Sequence, residues 1–303
     1  MTSKQAIITH QICQLHDMGE GHSESPQRLK VLEPVFDQYE VFEAQKADDS
    51  QIMFAHRYDY IEYLRQNVPT DGLRHIDSDT AIGAHSIDAA EYGVGAACQA
   101  VDMVLSDKFK HIFCGVRPPG HHAEPNRACG FCFFCNPYIA VRYAQEKYGI
   151  GKVVIIDFDV HHGNGTAACV RDQARDDIMY VSTHQWPLFP GTGNPEMEDD
   201  FDGMILDVPL PAGAGSELFR SAYEDHIFPK IREFNPALLI ISAGFDAHKD
   251  DPLAGFNLTD EDYFWIAGQI ADFKLPVVSI LEGGYNLEAL KSSVENYLNA
   301  FND

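Results

Sequence analysis

The sequence predicts an α/β protein in which helices cover a mainly parallel sheet. Five apolar runs have the continuous Val, Ile and Leu content of strands buried on both faces, and they lie at residues 111–116, 153–156, 178–181, 237–245 and 276–281. Helical periodicity recurs between and after them, at 136–148, 216–234, 259–273 and 287–301. Strands that alternate with helices are typical of parallel sheets. No linker rich in Gly, Ser or Pro divides the chain, so residues 1–303 are predicted to form one domain.

Polar residues suited to chemistry follow each of the five apolar runs. Ligands of parallel sheets bind beyond the carboxyl ends of the strands, so we expect these groups to form one site. Long loops at 117–135, 185–203 and 246–258 flank it. In chain order the five clusters are His121 and His122; Asp157, Asp159 and His161; Ser182, Thr183 and His184; Asp246 and His248; and Glu282 and Tyr285.

The second cluster has the spacing of a divalent-metal site. Asp159 and His161 alternate with Phe158 and Val160, so on an extended segment both side chains leave the same face and can converge on one ion. Burying several ionisable groups without a metal or a charge partner is costly. Taken alone, the pattern also fits a helix cap followed by a surface histidine pair, but the other four clusters favour a metal.

The charge of the chain restricts its partners. There are 22 basic and 46 acidic residues, giving a formal charge of 22 − 46 = −24. This charge argues against binding to a nucleic-acid backbone, and it suits cationic substrates such as lysine-bearing peptides or polyamines. Solubility or adaptation to a salty habitat explains it equally well. The acidic run at 196–200 is interpreted as a solvated loop.

The N-terminal segment lacks the apolar core of a signal peptide, and no run of about 18 apolar residues predicts a membrane-spanning helix. We therefore expect a cytoplasmic protein with no membrane partner. The seven cysteines, an odd number, are expected to be reduced thiols. Cys129, Cys132 and Cys135 lie at two-residue gaps, but no fourth thiolate has a matching spacing, which argues against a metal clip.

Six motifs, in order, resemble those of the histone deacetylase family of zinc amidohydrolases. They are RPPGHHA at 117–123, GFCFF at 130–134, DFDVHHGNGT at 157–166, FPGTG at 189–193, GFDAH at 244–248 and EGGY at 282–285. The resemblance runs from about His22 to Tyr285. It implies the arginase/deacetylase α/β fold, with a mainly parallel eight-stranded sheet and helices on both faces. Asn164 stands where class I members usually have Asp, so the chain looks closest to class II and bacterial deacetylase-like amidohydrolases.

The resemblance implies one catalytic Zn²⁺ per active site, held by Asp159, His161 and Asp246. Two carboxylates and one imidazole leave open coordination positions, as a catalytic zinc requires. A K⁺ ion is also implied, for a structural role. Its expected site comprises Asp157, Asp159, His161, Ser182 and Thr183.

The resemblance also assigns catalytic roles to five residues. His122 would be the general base and His121 its electrostatic partner. Asp157 would orient His121, and Asn164 would orient His122. Tyr285 would donate its hydroxyl to the developing oxyanion.

For the substrate, the resemblance implies a narrow channel that holds the aliphatic stem of an acyl-lysine. Phe131 and Phe189 match the family's paired aromatics, whose rings exclude water and contact methylenes. Plain core packing is the alternative for both rings. Gly130 would offer its backbone carbonyl near the substrate amide. The further expected substrate contacts are Leu253 and Gly284.

Three departures from the family pattern bear on specificity and local structure. Cys135 replaces the asparagine usual after GFCFF, which affects a local hydrogen bond. Ser25 stands where a basic residue is common, and Arg28 fits either an internal acetate channel or a structural salt bridge. Leu253 occupies the place of the acidic gatekeeper of polyamine-selective relatives, which favours acyl-lysine.

We predict a zinc-dependent amidohydrolase that removes acetyl or other acyl groups from acyl-lysine, in a peptide or a small acylated amine, with no nucleic-acid partner. An acetylpolyamine deacetylase is the first alternative. An arginase-type ureohydrolase would need a second metal, and a non-catalytic acyl-lysine binding module would be expected to lack Tyr285 or a ligand. Monomer and oligomer are both compatible with the sequence. Supporting or structural roles are expected for His162, His184 and His248.

Overall fold

The computed structural model describes residues 5–198 and 200–302. The start of the N-terminal segment, residues 1–4, lies outside the described residues, as do Asp199 in the acidic run and Asp303. Within the described residues, no helix is both long and apolar enough to cross a membrane.

One eight-stranded sheet organises the chain, and every pair of neighbouring strands in it is parallel. Its order is β2-β1-β5-β10-β9-β6-β7-β8, and β3 and β4 form a separate antiparallel pair. This arrangement confirms the predicted fold class. The strands are β1 (Gln5–Thr9), β2 (Val41–Glu43), β3 (Arg74–His75), β4 (Ala81–Ile82), β5 (His111–Cys114), β6 (Val153–Asp157), β7 (Ile178–Gln185), β8 (Ile205–Leu210), β9 (Leu238–Ala243) and β10 (Val277–Leu281).

Helices flank the sheet, as the resemblance implied. The α-helices are α1 (Gln27–Lys30), α2 (Glu33–Phe36), α3 (Asp49–Ile52), α4 (Tyr58–Gln66), α5 (Ser86–Leu105), α6 (Asn136–Tyr148), α7 (Asn164–Gln173), α8 (Ser216–Ser221), α9 (Phe228–Phe234), α10 (Asp260–Ala271) and α11 (Leu287–Asn299). A 3₁₀ turn spans Gln11–Gln14, and a π-helical turn spans Ala222–Ile227.

The central strands are apolar because both of their faces are covered. Every residue of β5, β6, β9 and β10 is buried. Strands β10, β9 and β6 are neighbours in the middle of the sheet and end at the same edge. The polar residues that follow these strands are therefore brought together at that edge.

Two predicted elements differ in detail from the structure. Strand β7 continues to Gln185, so Ser182, Thr183 and His184 lie inside the strand rather than after it. The helix predicted at 216–234 consists of α8, the π turn and α9. Pro229 explains the interruption, because proline lacks a backbone N–H and its ring crowds the carbonyl one turn earlier.

Candidate active site

Three predicted ligands converge after two neighbouring strands. Asp159 and His161 follow β6, and Asp246 follows β9. One ligand atom from each of these buried residues lies within 4.8 Å of the other two. The Nδ1 atom of His161 is 3.0 Å from Asp159 Oδ1 and 3.1 Å from Asp246 Oδ2. This donor set fits a divalent ion with coordination positions left open.

The electrostatics of the three ligands also favour a bound cation. Burial and the nearby Asp159 carboxylate raise the pKa of Asp246 to about 7. Burial opposes ionisation of Asp159, but His121 and His161 outweigh it and lower the pKa of that carboxyl. The two buried carboxylates thus repel each other, and a cation between them would remove this cost.

Backbone amides hold the ligand carboxylates in place. Gly283, after β10, donates to Asp159 Oδ2 at 2.8 Å, and the amide of His161 donates to Asp159 Oδ1 at 2.9 Å. Val160 donates to Asp246 Oδ1 at 2.9 Å. The loop after β6 therefore contacts the ends of both β9 and β10, and it pre-orients the ligands.

The predicted histidine pair lies beside the ligands, in the loop after β5. The ring centroids of His121 and His122 are 3.9 Å apart, and His122 is 6.0 Å from the ring of His161. Burial disfavours a charged His121, but the carboxylates of Asp159, Asp157 and Glu282 outweigh it and raise its pKa well above the ordinary value. Burial, with His121 and His161, lowers the pKa of His122 well below the ordinary value. Near neutral pH, the pair thus combines a cationic and a neutral imidazole.

Each histidine has the predicted hydrogen-bond partner. The Nδ1 atom of His121 is 3.0 Å from Asp157 Oδ2, which also accepts the hydroxyl of Tyr180 at 3.0 Å. The Nδ1 atom of His122 is 2.8 Å from Oδ1 of Asn164, the first residue of α7. These contacts leave Nε2 as the ring nitrogen of His122 that is available for chemistry.

A cavity of about 240 Å³ is lined by residues from three predicted sets: the metal ligands, the catalytic residues and the substrate contacts. The Phe131 ring packs edge-on against Tyr285 at 5.9 Å between centroids, and Phe189 packs edge-on against His122 at 5.1 Å. Tyr285 also lines the cavity, and burial raises the pKa of its phenol well above the ordinary value. The lining residues are Asp79, His122, Gly130, Phe131, His161, Leu188, Phe189, Leu253 and Tyr285.

A larger cavity, of about 790 Å³, lies at the opposite edge of the sheet. It is lined by Trp265, Phe301 and the first residues of β5 and β10, His111 and Val277. It contains none of the predicted site residues, so its size does not make it the reaction site.

Gly284 stands apart from the cavity lining. Its carbonyl accepts Nε of Arg28 at 2.7 Å, and Arg28 also donates to Glu24 Oε1 at 3.1 Å. The Arg28 guanidinium carbon lies 4.9 Å from the centre of the Tyr285 ring. The buried Arg28 thus forms the salt bridge that was one of its two predicted roles, and it packs behind Tyr285.

The residues expected to hold K⁺ lie at and just after the end of β6 and inside β7. Asp157 and Ser182 are paired across these two strands. Ser182 Oγ lies 2.9 Å from Nδ1 of His184, and Thr183 Oγ1 lies 3.1 Å from the hydroxyl of Tyr223. Asp157 Oδ1 accepts the amide of Asp159 at 3.1 Å.

The remaining predicted residues make supporting contacts. Nδ1 of His162 is 2.8 Å from Thr192 Oγ1, Nε2 of His184 is 2.8 Å from the Gly193 carbonyl, and Nδ1 of His248 accepts the Asp250 amide at 3.2 Å. The Cys135 amide donates to His56 Nε2 at 2.8 Å. All seven cysteines are free thiols.

Three acidic residues at the site were given no role from the sequence. Glu282 Oε2 accepts the amides of Gly120 and His121 at 2.7 and 3.1 Å, which fixes the backbone of the histidine pair. Glu124 Oε1 accepts Nδ2 of Asn164 at 2.8 Å, and Asp79 lines the cavity. Of the three, only Glu282 lies in a motif and could have been singled out from the sequence. Glu124 lies one residue past a motif, and Asp79 lies in none.

Comparisons with known proteins identify similar chains and a similar fold. Residues 22–301 match the family model described as histone deacetylase domain. An uncharacterized protein of Synechocystis is 37% identical over 92% of this chain and 93% of its own length. A histone deacetylase-like amidohydrolase of Pseudomonas aeruginosa is 31% identical over 94% of this chain and 83% of its own. The crystal structure of the HDA15 HD domain superposes with a TM-score of 0.93 at 28% identity, covering 100% of this chain and 89% of that one.

Proposed function

Because the chain belongs to the histone deacetylase family and is thus a hydrolase of the deacetylase and amidohydrolase type, we propose that it is a zinc-dependent deacylase of acyl-lysine side chains. The observation that carries this proposal is the cavity in which His122, His161 and Tyr285 face two phenylalanine rings. A candidate metal ligand, a neutral imidazole and a phenol line this one small, mostly apolar space. That combination suits hydrolysis of an amide at the end of an aliphatic chain.

The donor set of Asp159, His161 and Asp246 would hold the zinc ion. When bound, such an ion polarises an amide carbonyl and makes water more acidic. The residues around it supply the remaining chemistry.

The histidine pair manages the proton. His122, neutral because of its lowered pKa, accepts the proton of the attacking water at Nε2 and returns it to the departing amine nitrogen. His121 is cationic and is fixed by Asp157. Its charge disfavours protonation of the free His122 ring, and it stabilises negative charge that develops nearby. Tyr285, kept protonated by its raised pKa, donates its hydroxyl to the developing oxyanion.

The cavity walls favour an acyl-lysine substrate. Phe131, Phe189 and Leu253 offer apolar surface to the lysine methylenes and exclude water from the amide. One lining residue, Asp79, favours the alternative substrate class, because a carboxylate at the cavity can attract the distal ammonium of an acetylpolyamine. The apolar Leu253 lacks that attraction.

A substrate panel tests this choice. The ratio of kcat/KM for an acetyl-lysine peptide to that for acetylspermidine should favour the peptide in the unaltered protein. Leu253→Glu should shift the ratio toward acetylspermidine, and Asp79→Asn should shift it further toward the peptide. A strong preference of the unaltered protein for acetylspermidine would replace acyl-lysine with the polyamine class.

We also propose a K⁺ ion at Asp157 and Ser182, supported by the pairing of Asp157, the last residue of β6, with Ser182 inside β7. A cation there would offset part of the charge of Asp157 beside His121. Replacing K⁺ by a bulky organic cation at constant ionic strength should lower the thermal unfolding temperature, and Ser182→Ala should reduce that difference.

A further inference from the structure

We propose that Glu124 is a positioning residue that selects the tautomer of His122 through Asn164. The inference rests on the proposed function in that it makes His122 the base. The hydrogen bonds that connect Glu124 to His122 are present in the structure whatever the reaction is.

Asn164 links the two residues through the two ends of its amide. Its Oδ1 lies 2.8 Å from Nδ1 of His122, and its Nδ2 donates to Oε1 of Glu124 at 2.8 Å. A carboxylate accepts hydrogen bonds and does not donate them, so Glu124 determines which end of the amide faces it. The amide oxygen is then turned toward His122, whose Nδ1 must carry the proton.

The tautomer decides whether His122 can act as a base. With the proton on Nδ1, a neutral imidazole keeps its lone pair on Nε2, the nitrogen left for the cavity. A reversed amide would set Oδ1 of Asn164 against the Glu124 carboxylate and turn an N–H toward Nδ1 of His122. The ring proton would then move to Nε2, where it would block proton transfer from water.

The position of Glu124 is set by its own backbone turn. Its amide donates to the Arg127 carbonyl at 3.0 Å, and the Arg127 amide donates back at 3.3 Å. The adjacent Pro125 carbonyl accepts the amide of Arg57 at 3.2 Å. The turn holds the backbone of Glu124, and because the carboxylate can only accept, it sets the orientation of the Asn164 amide, which has both a donor and an acceptor end.

Glu124 also makes a carboxylate unsuitable at position 164. Asn164→Asp alone would replace the donated hydrogen bond to Glu124 with a contact between two carboxylates at about the same distance, which is repulsive. Combining it with Glu124→Gln exchanges the amide and the carboxylate. The new amide can donate to the new carboxylate, which still accepts from Nδ1 of His122.

Ring ¹⁵N NMR of the zinc-loaded full chain reports the tautomer directly, with the His122 signal assigned by its loss in His122→Ala. The unaltered protein should show His122 protonated at Nδ1, and Glu124→Leu should shift the population toward Nε2. Glu124→Gln can accept from the Asn164 amide or donate to it, so it should show a tautomer shift in the same direction as Glu124→Leu, toward Nε2. Arg127→Gln removes the 3.9 Å ion pair of Glu124 without touching Asn164, and it should leave the tautomer unchanged. An Nε2–H tautomer in the unaltered protein, or an unchanged tautomer in Glu124→Leu, would overturn the proposal.

Kinetics provide a second, independent readout. Glu124→Leu should lower kcat by roughly ten- to a hundredfold, the scale for a partner that orients an active-site group, with KM nearly unchanged. Glu124→Gln with Asn164→Asp should recover at least about tenfold of the turnover lost by Asn164→Asp alone. Simple multiplication of the two single losses would contradict the proposal, and this test remains if Glu124→Leu fails to fold. Should the tautomer results hold while His122→Ala keeps full turnover, the proposed function fails and the positioning role stands.

Discussion

The backbone amide of Gly283 donates to Asp159 Oδ2 at 2.8 Å and so ties the end of β10 to the loop after β6. A Cβ atom at position 283 would lie 2.0 Å from Asp246 Oδ2 and 2.6 Å from Asp159 Oδ2. Position 283 therefore requires glycine because two ligand carboxylates approach its backbone. A residue outside the proposed ligand set thus holds one of the proposed ligand carboxylates in place.

Gly283→Ala should consequently displace both carboxylates, which cannot yield without leaving the ligand cluster. We expect the zinc content of the purified protein to fall well below one ion per chain, with turnover reduced at least about a hundredfold. Gly268→Ala in α10 is the matched control, since nothing lies within 4 Å of its added Cβ. It should keep full zinc content and gain about 0.5–1 kcal/mol in unfolding free energy. Normal zinc content in Gly283→Ala would contradict the proposed ligand set.

The histidine pair should show unequal roles. His122→Ala removes the neutral imidazole that faces the cavity, so turnover should fall at least about a hundredfold while zinc stays bound. His121→Ala should mainly raise the pH at which activity develops, because a neighbouring cation that lowers the pKa of His122 is lost. Full pH–rate profiles of both variants, with metal analysis, make the comparison. An inactive His121→Ala beside a nearly active His122→Ala would reverse the assignment.

Tyr285→Phe removes one hydroxyl and leaves the ring packed against Phe131. Turnover should fall by about two to three powers of ten, the range for losing one oxyanion donor. A zinc-chelating hydroxamate should still bind, more weakly, because the hydrogen bond is lost but the ligands of the ion are intact. Unchanged turnover would show that the hydroxyl does not meet the oxyanion.

The convergence of the candidate site residues that follow strands could be predicted from the sequence. Asp157, Asp159 and Asp246 stand at the ends of continuous apolar runs, and the ends of parallel strands share one edge of the sheet. His121 and Tyr285 follow runs of the same kind. The sequence predicts that these residues lie at one edge of the sheet. Which of them are adjacent depends on which strands are neighbours.

Other features could not be predicted from local pattern. The contact between Glu124 and Asn164 joins residues 40 positions apart, and no periodicity encodes which side chain of a loop turns inward. Helix α5 is rich in small residues, and most of its residues are buried. Its apolar face is therefore broad, and the helix was not among the segments predicted from helical periodicity. The end of β7 was placed too early because Ser182 and His184 are polar, although each is buried and hydrogen bonded.

A buried histidine remote from the site should make stability depend on pH. Burial lowers the pKa of His111 to about 3, from 6.5 in an exposed chain, while its ring stacks on Phe301 at 3.7 Å. Between these pH values the unfolded state binds more protons than the folded state. The contribution of His111 to the free energy of unfolding should therefore be fully present above about pH 6.5. Below that pH, this one group should lower the free energy of unfolding by up to about 1.4 kcal/mol per pH unit.

Urea unfolding at several pH values between 4.5 and 7.5, in the unaltered protein and in His111→Gln, checks this prediction. The variant should be less stable at neutral pH, since the bonds of His111 to Gln5 and Ser279 are altered, but its stability should fall less steeply toward acid. Equal slopes would mean that His111 does not carry the acid sensitivity.

The central claim, one catalytic zinc held by Asp159, His161 and Asp246, is tested most directly by titrating metal into chelator-treated protein while turnover of an acetyl-lysine peptide is followed. Turnover should rise linearly with added Zn²⁺ and reach its plateau at one ion per chain. Asp246→Ala, which removes one of the three ligands, should neither bind the ion tightly nor recover activity. Full turnover in metal-free protein, or a plateau at two equally tight ions, would contradict the claim.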